Sequence, residues 1–127
     1  MNSKEQRIEA NKFGEFAEEK AVEEYRSRGY TVLERNWRMG KTEIDIIAQK
    51  DDIIIIAEVK ARNTNEEDAL SSITSDKKRR MVRAADNYIK RLQGNYSYRF
   101  DVVACSGTIS NLEMEIYEDA FLAADLF

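Results

Sequence analysis

The chain has no histidine, a single cysteine, and no apolar stretch near the ~20 residues that a membrane-spanning helix requires. The lack of histidine removes serine–histidine and cysteine–histidine hydrolases, histidine-ligated zinc enzymes, and nucleases with a histidine general base. One cysteine, Cys105, excludes an internal disulfide and a cysteine-based zinc site. Its setting in Asp101-Val102-Val103-Ala104-Cys105 reads as a buried structural thiol. Neither a Gly-x-x-x-x-Gly-Lys-Ser/Thr loop nor a Gly-x-Gly-x-x-Gly turn is found, so nucleotide-binding folds have no support. Met1-Asn2-Ser3-Lys4-Glu5-Gln6-Arg7 lacks the apolar core of a signal peptide, and the expectation is a cytoplasmic protein with no membrane partner. The chemistry left is that of carboxylates, lysine, hydroxyls and a hard, oxygen-seeking metal.

The 127 residues are 35% charged and 43% hydrophobic, the balance of one folded domain over residues 1–127. A net charge of −4 and a pI near 5.0 argue against tight, non-specific DNA binding by the whole surface. The cations are nevertheless grouped. Arg26, Arg28, Arg35, Arg38 and Lys41 fall in one third of the chain, and Lys77, Lys78, Arg79, Arg80 and Arg83 open a later helix. A locally positive face is compatible with a phosphate-bearing partner, and a solvated charge face is the plain alternative.

Hydrophobic periodicity predicts an α/β sheet in the order α-β-β-β-α-β-β. Residues 12–28 read as a helix with Phe13, Phe16, Ala17, Ala21 and Tyr25 on one stripe, closed by Gly29. Strands are expected at 30–36, 43–49 and 53–61, the last apolar on both faces as a central strand would be. A turn with Gly40 covers 38–41, and a polar, mobile loop covers 62–68. Thr74 or Ser75 would cap a helix reaching about residue 92, whose stripe is Met81, Ala84, Ala85, Tyr88, Ile89 and Leu92. Two more strands are read at 98–105 and 112–117, with Ser106-Gly107 in the turn between them. A short apolar helix or tail follows at 120–127.

Acids and a lysine interrupt the most apolar of these strands. Glu58-Val59-Lys60 ends the run Ile53-Ile54-Ile55-Ile56-Ala57, and Asp45 lies within Glu43-Ile44-Asp45-Ile46-Ile47. Buried charges are normally paired or bound to metal. Strand alternation points Glu58 and Lys60 the same way, ~7 Å apart. If Asp51-Asp52 is a two-residue hairpin loop, Lys50 pairs with Ile53 and Asp45 falls opposite Glu58. Directly opposed β-carbons lie ~5 Å apart, so the two carboxylates can share one divalent cation. The pattern points to a metal-dependent nuclease.

The same residues carry a family resemblance. The order helix, hairpin, Asp, Glu-x-Lys, helix, strand is similar to the core of the restriction-endonuclease-like superfamily, the PD-(D/E)xK nucleases. More closely, the chain resembles the YraN-like family, itself similar to archaeal Holliday-junction resolvases. The shared segments are Glu18 with Ala21, Gly29-Tyr30, Arg35-Asn36-Trp37-Arg38, Glu43-Ile44-Asp45-Ile46-Ile47-Ala48 and Glu58-Val59-Lys60-x-Arg62. Lys77 with Ala85, Arg99-Phe100-Asp101-Val102-Val103 and Asp119-Ala120-Phe121 follow in order. The glycine that usually precedes Glu-Ile-Asp is replaced by Thr42.

The resemblance implies a restriction-endonuclease-like core, a central mixed sheet flanked by helices. It also implies hydrolysis of phosphodiester bonds in structured or branched DNA. Asp45 and Glu58 would hold Mg²⁺ or Mn²⁺ with the carbonyl of Val59, Glu18 would add a third acid, and Lys60 would position or deprotonate the attacking water. Arg62, Lys77, Lys78 and Arg80 are the candidate nucleic-acid contacts, Lys77 at a helix N-terminus that favours anions. Glu43 reads as a solvated acid, Asp101 as a partner of Arg99, and Trp37 as packed on the sheet. Phe121, Leu122, Leu126 and Phe127 would seal the core or form a homodimer contact. The alternative to an enzyme is a nucleic-acid-binding module with a weak or idle site in a repair, recombination or uptake complex.

Overall fold

Four consecutive isoleucines followed by alanine place apolar side chains on both faces of a strand, which is stable only with a layer on each side. That strand is the centre of the fold. The computed structural model describes residues 2–61 and 66–127, the side chains of 66–68 excepted. The elements are α1 (Ser3–Ser27), β1 (Thr31–Met39), β2 (Thr42–Lys50), β3 (Ile53–Ala61), α2 (Glu66–Ser71), α3 (Ser75–Arg91), β4 (Ser97–Thr108), β5 (Asn111–Phe121) and a 3₁₀ turn (Ala123–Asp125).

The strands form one sheet in the order β1-β2-β3-β4-β5. Only β3 and β4 are parallel, and the crossover between them carries α2 and α3. The expected mixed sheet flanked by helices is what the chain adopts, and its strand order and helix placement are compatible with a restriction-endonuclease-like core. On one face, Ala17, Ala21, Val22 and Tyr25 of α1 pack on Ile46, Ile55, Ala57, Val103 and Cys105. On the other, Met81, Ala84, Ala85 and Tyr88 of α3 pack on Ile44, Ile54, Ile56 and Phe100. Alternation along β3 therefore feeds both layers, Ile55 and Ala57 one way, Ile54 and Ile56 the other.

Several boundaries differ from the expected ones. Helix α1 starts at Ser3, where Asn2 Oδ1 accepts the Glu5 N–H at 2.8 Å, not near residue 12. Its first ten residues are exposed and carry no apolar stripe, so periodicity could not reveal them. Strand β1 continues through Met39, leaving only Gly40 and Lys41 in the turn. Strand β4 runs through Ser106 and Gly107, and the turn falls at Ile109 and Ser110. Gly107 sits at φ 94°, where a Cβ would lie 2.2 Å from the Asn111 carbonyl oxygen. That glycine marks a close approach inside a strand instead of a turn. Of the expected loop at 62–68, residues 66–68 begin α2, and 62–65, including Arg62, lie outside the described residues.

Other features match the expectations. Gly29, at φ 92°, follows the end of α1, and Thr74 caps α3. Among the described residues no helix is long and apolar enough to cross a membrane.

Candidate metal centre

The β2–β3 hairpin turns at Asp51 and Asp52, Asp51 taking a left-handed φ of 54°. Its ladder runs from Lys50↔Ile53 to Ile46↔Ala57, the register expected from the two-residue loop. The next step would set Asp45 against Glu58, but the ladder stops one pair short. On the opposite side the register of β1 with β2 passes from Arg35↔Ile46 to Trp37↔Ile44. Asn36 and Asp45 are skipped, and Asn36 adopts φ 51°. The faces are reset at this point. Ile44 belongs to the α3-side cluster and Ile46 to the α1-side cluster, although residues two apart in a regular strand share a face. Outside the ladder on both edges, Asp45 takes its hydrogen bond through its side chain, Oδ2 accepting the Val59 N–H at 2.8 Å.

Glu58 is 5% exposed and unevenly satisfied. Its Oε1 accepts from Lys77 Nζ at 2.5 Å and lies 3.6 Å from Lys60 Nζ. Its Oε2 is buried with no hydrogen-bond partner among the described residues. The cap of α3 places Lys77, since Thr74 Oγ1 accepts the Lys77 N–H at 3.1 Å and fixes the backbone from which the side chain reaches the sheet. Burial, and next the neighbouring Glu58 charge, push the Asp45 carboxyl up to about 7, against the opposing pull of the Val59 N–H. Glu18 on α1 is also raised, by burial and then by Glu43, while Arg35 and a hydrogen bond from Asn36 oppose the rise.

A cation suited to this place must prefer oxygen, because the side chains available are carboxylates. A half-buried acid whose ionisation burial disfavours, beside a buried carboxylate oxygen with no donor among the described residues, is chemistry that a hard divalent cation such as Mg²⁺ or Mn²⁺ would fit. Asp45 and Glu58 would hold such an ion, with water completing its shell. Among the described residues no group of three or more His, Cys, Asp or Glu side chains is gathered closely enough to hold a metal. Glu18 is therefore an electrostatic neighbour of the pair in this geometry, not a third member of a closed cluster.

The described cations expected to contact nucleic acid have different surroundings. Lys77 turns inward to Glu58, and Lys78 lies over the Phe121 ring at 5.4 Å. Arg79 donates to the Leu126 carbonyl at 2.9 Å and to Asp76, while Arg80 is exposed. Glu43 pairs with Arg38 at 2.6 Å. Trp37 packs edge-on to Tyr88, ring centres 5.2 Å apart, with the Arg91 guanidinium 5.4 Å from its ring. In the tail, Phe121 stacks on Phe100, and Leu126 joins the same cluster, while Phe127 stays 70% exposed.

Asp101 serves a separate network. It is fully buried and accepts from Tyr25 Oη, from Arg99 through both oxygens, and from the Asp119 N–H. The expected Arg99 partner is present, and Tyr25 ties the cluster to α1. Cys105 is fully buried, and burial raises its thiol to about 11. Sequence reasoning missed Asn36 as the residue opposite Asp45, although asparagine is among the few types that tolerate positive φ. It also read Lys77 as an outward contact. No local signal gives its inward position, because a cap at Thr74 puts Lys77 in the first helical turn without fixing how α3 docks on the sheet.

A family model described as uncharacterised protein family UPF0102 matches residues 17–105, the span from Ala17 on α1 to Cys105 on β4. A UPF0102 protein of Flavobacterium psychrophilum is 36% identical over 114 residues, covering 89% of this chain and 96% of its own. One from Bacteroides fragilis is 38% identical over 117 residues, covering 89% and 94%, and one from Clostridium perfringens is 41% identical over 113 residues, covering 85% and 92%. The chain belongs to the UPF0102 family.

Proposed function

We propose that the protein is a Mg²⁺- or Mn²⁺-dependent nuclease of the PD-(D/E)xK type, cutting phosphodiester bonds in structured or branched DNA. The observation that carries the reading is the buried Glu58 Oε2, without a hydrogen-bond partner among the described residues and in the electrostatic field of Asp45, with Lys60 within ion-pair reach of the same carboxylate. A bound divalent ion would polarise the phosphoryl oxygen and offset charge developing in the transition state.

The chain's own groups have distinct tasks. Asp45, pinned by the Val59 N–H, presents one carboxylate from the break in β2. Glu58 presents the second from β3, and its strand fixes Lys60 two residues on, on the same face. Lys60 is mostly buried and places an ammonium group beside the carboxylates, where it orients water and pairs with phosphate oxygen. Arg80, exposed on α3, and Lys78 offer the longer-range attraction for a polyanion.

The test is cleavage of junction, flap and linear DNA in Mg²⁺ or Mn²⁺ by the wild type, Asp45→Ala and Lys60→Ala. Cleavage by the wild type and loss in both variants supports the assignment, whereas cleavage that survives both changes rejects it. DNA binding without cleavage in any metal favours an idle nucleic-acid-binding module. The engagement of Lys77 with Glu58 leans that way, since it neutralises a ligand from within.

A further inference from the structure

We propose that Lys77 is an internal counter-ion that holds Glu58 while no metal is bound and gives that carboxylate up to the divalent cation. This rests on the metal reading of Asp45 and Glu58.

The charges around Glu58 are lopsided. Two ammonium groups, Lys77 at 2.5 Å and Lys60 at 3.6 Å, address Oε1, while Oε2 has no donor among the described residues. A purely structural ion pair in so buried a place would satisfy both oxygens. A lysine meant only for phosphate would be exposed to solvent, as the cation Arg80 is. Lys77 does neither.

Its backbone is fixed by the Thr74 cap, yet a third of its side chain reaches solvent, so the ammonium can leave Glu58 without crossing the core. A divalent ion held by these two carboxylates would repel an ammonium already seated on one of them. The two cations therefore compete for one charge, and loading the metal frees Lys77 at the rim of the site.

The test compares Mn²⁺ binding, by titration calorimetry on the full chain, in the wild type, Lys77→Met, Lys77→Gln and Lys78→Met, with thermal melts in EDTA and in Mn²⁺. Lys77→Met should bind Mn²⁺ about tenfold more tightly, melt lower in EDTA, and regain the loss when Mn²⁺ is added. Lys77→Gln, which keeps a donor for Glu58 without the charge, should show the tighter binding with a smaller loss in EDTA. It serves if the methionine variant does not fold. Lys78→Met, one residue away on the same helical turn, should stay within about twofold of the wild type, which separates competition at Glu58 from a general change in field. Wild-type or weaker binding by both Lys77 variants overturns the exchange and leaves the metal site standing. Absence of Mn²⁺ binding in the wild type and in every variant overturns the metal reading, and the exchange with it.

Discussion

Asp45→Asn should stabilise the metal-free protein, an unusual outcome for a change at a half-buried acid. The carboxyl rises from an ordinary 3.8 to about 7, with burial first among the causes and the Glu58 charge second. Keeping it ionised at pH 8 therefore costs up to ~4 kcal/mol, at ~1.4 kcal/mol per pH unit. An amide avoids that cost and still accepts the Val59 N–H, but its NH₂ group must find room and a partner, which leaves a net gain of about 2 kcal/mol.

The sign follows from linkage. A carboxyl raised in the folded state makes its favourable contribution below its unfolded value near 3.8 and loses it as pH rises toward 7. The asparagine variant should thus melt about 6 °C higher than the wild type at pH 8 in EDTA. Its advantage should shrink through the window between pH 7 and 4 and vanish below it. Saturating Mg²⁺ should raise the wild-type melting temperature at pH 8 and leave the variant unchanged. Calorimetric melts across pH settle the matter. Equal stability at pH 8, or a gain that persists undiminished at pH 4, would refute the reasoning.

The remaining predictions concern the frame around the site and its reach. Asp101→Asn should cost about 3 kcal/mol, because Arg99 keeps its charge in a largely buried place, and Tyr25→Phe about 1 kcal/mol, both read from denaturant melts. Gly107→Ala should cost about 2–3 kcal/mol or more, since its Cβ would collide with the Asn111 carbonyl at a φ that side chains avoid. Lys78→Glu with Arg80→Glu should weaken DNA binding and flatten its salt dependence by about one per lost phosphate contact, and an unchanged salt slope would remove α3 from the interface. Asn36→Gly should keep Mn²⁺ affinity near that of the wild type, while Asn36→Val, which resists positive φ, should weaken it.

Much of the frame was legible in the sequence because it depends on local rules. Ile53-Ile54-Ile55-Ile56-Ala57 could be stable only between two layers, and the Asp51–Asp52 loop fixed the register of β2 with β3. Gly29 and Thr74 marked helix ends by their conformational and capping preferences. What stayed hidden depends on long-range geometry. The first ten residues of α1 touch no core and leave no periodic signal. Gly107 resembled a turn residue because the need for glycine there comes from a carbonyl on the facing strand. Register brought Asp45 to within one step of Glu58, but the ladder ends there and the Val59 N–H bond holds its carboxylate, whereas the inward reach of Lys77 depended on how α3 docks on the sheet.

The break in the ladder bears most directly on the site. In an uninterrupted sheet Asp45 would be one more side chain in a row, its backbone bonded to a neighbouring strand and its carboxylate aimed by strand alternation alone. Here Asn36 turns left-handed opposite it, the faces are reset between Ile44 and Ile46, and the β2–β3 ladder ends at Ile46↔Ala57. The carboxylate then replaces the missing backbone bond by accepting the Val59 N–H. That bond ties Asp45 to the peptide between Glu58 and Lys60, so one side chain sets the spacing of the acid pair and the lysine together. The irregularity costs ladder hydrogen bonds, and what it secures is a fixed position for two carboxylates that would otherwise repel each other apart.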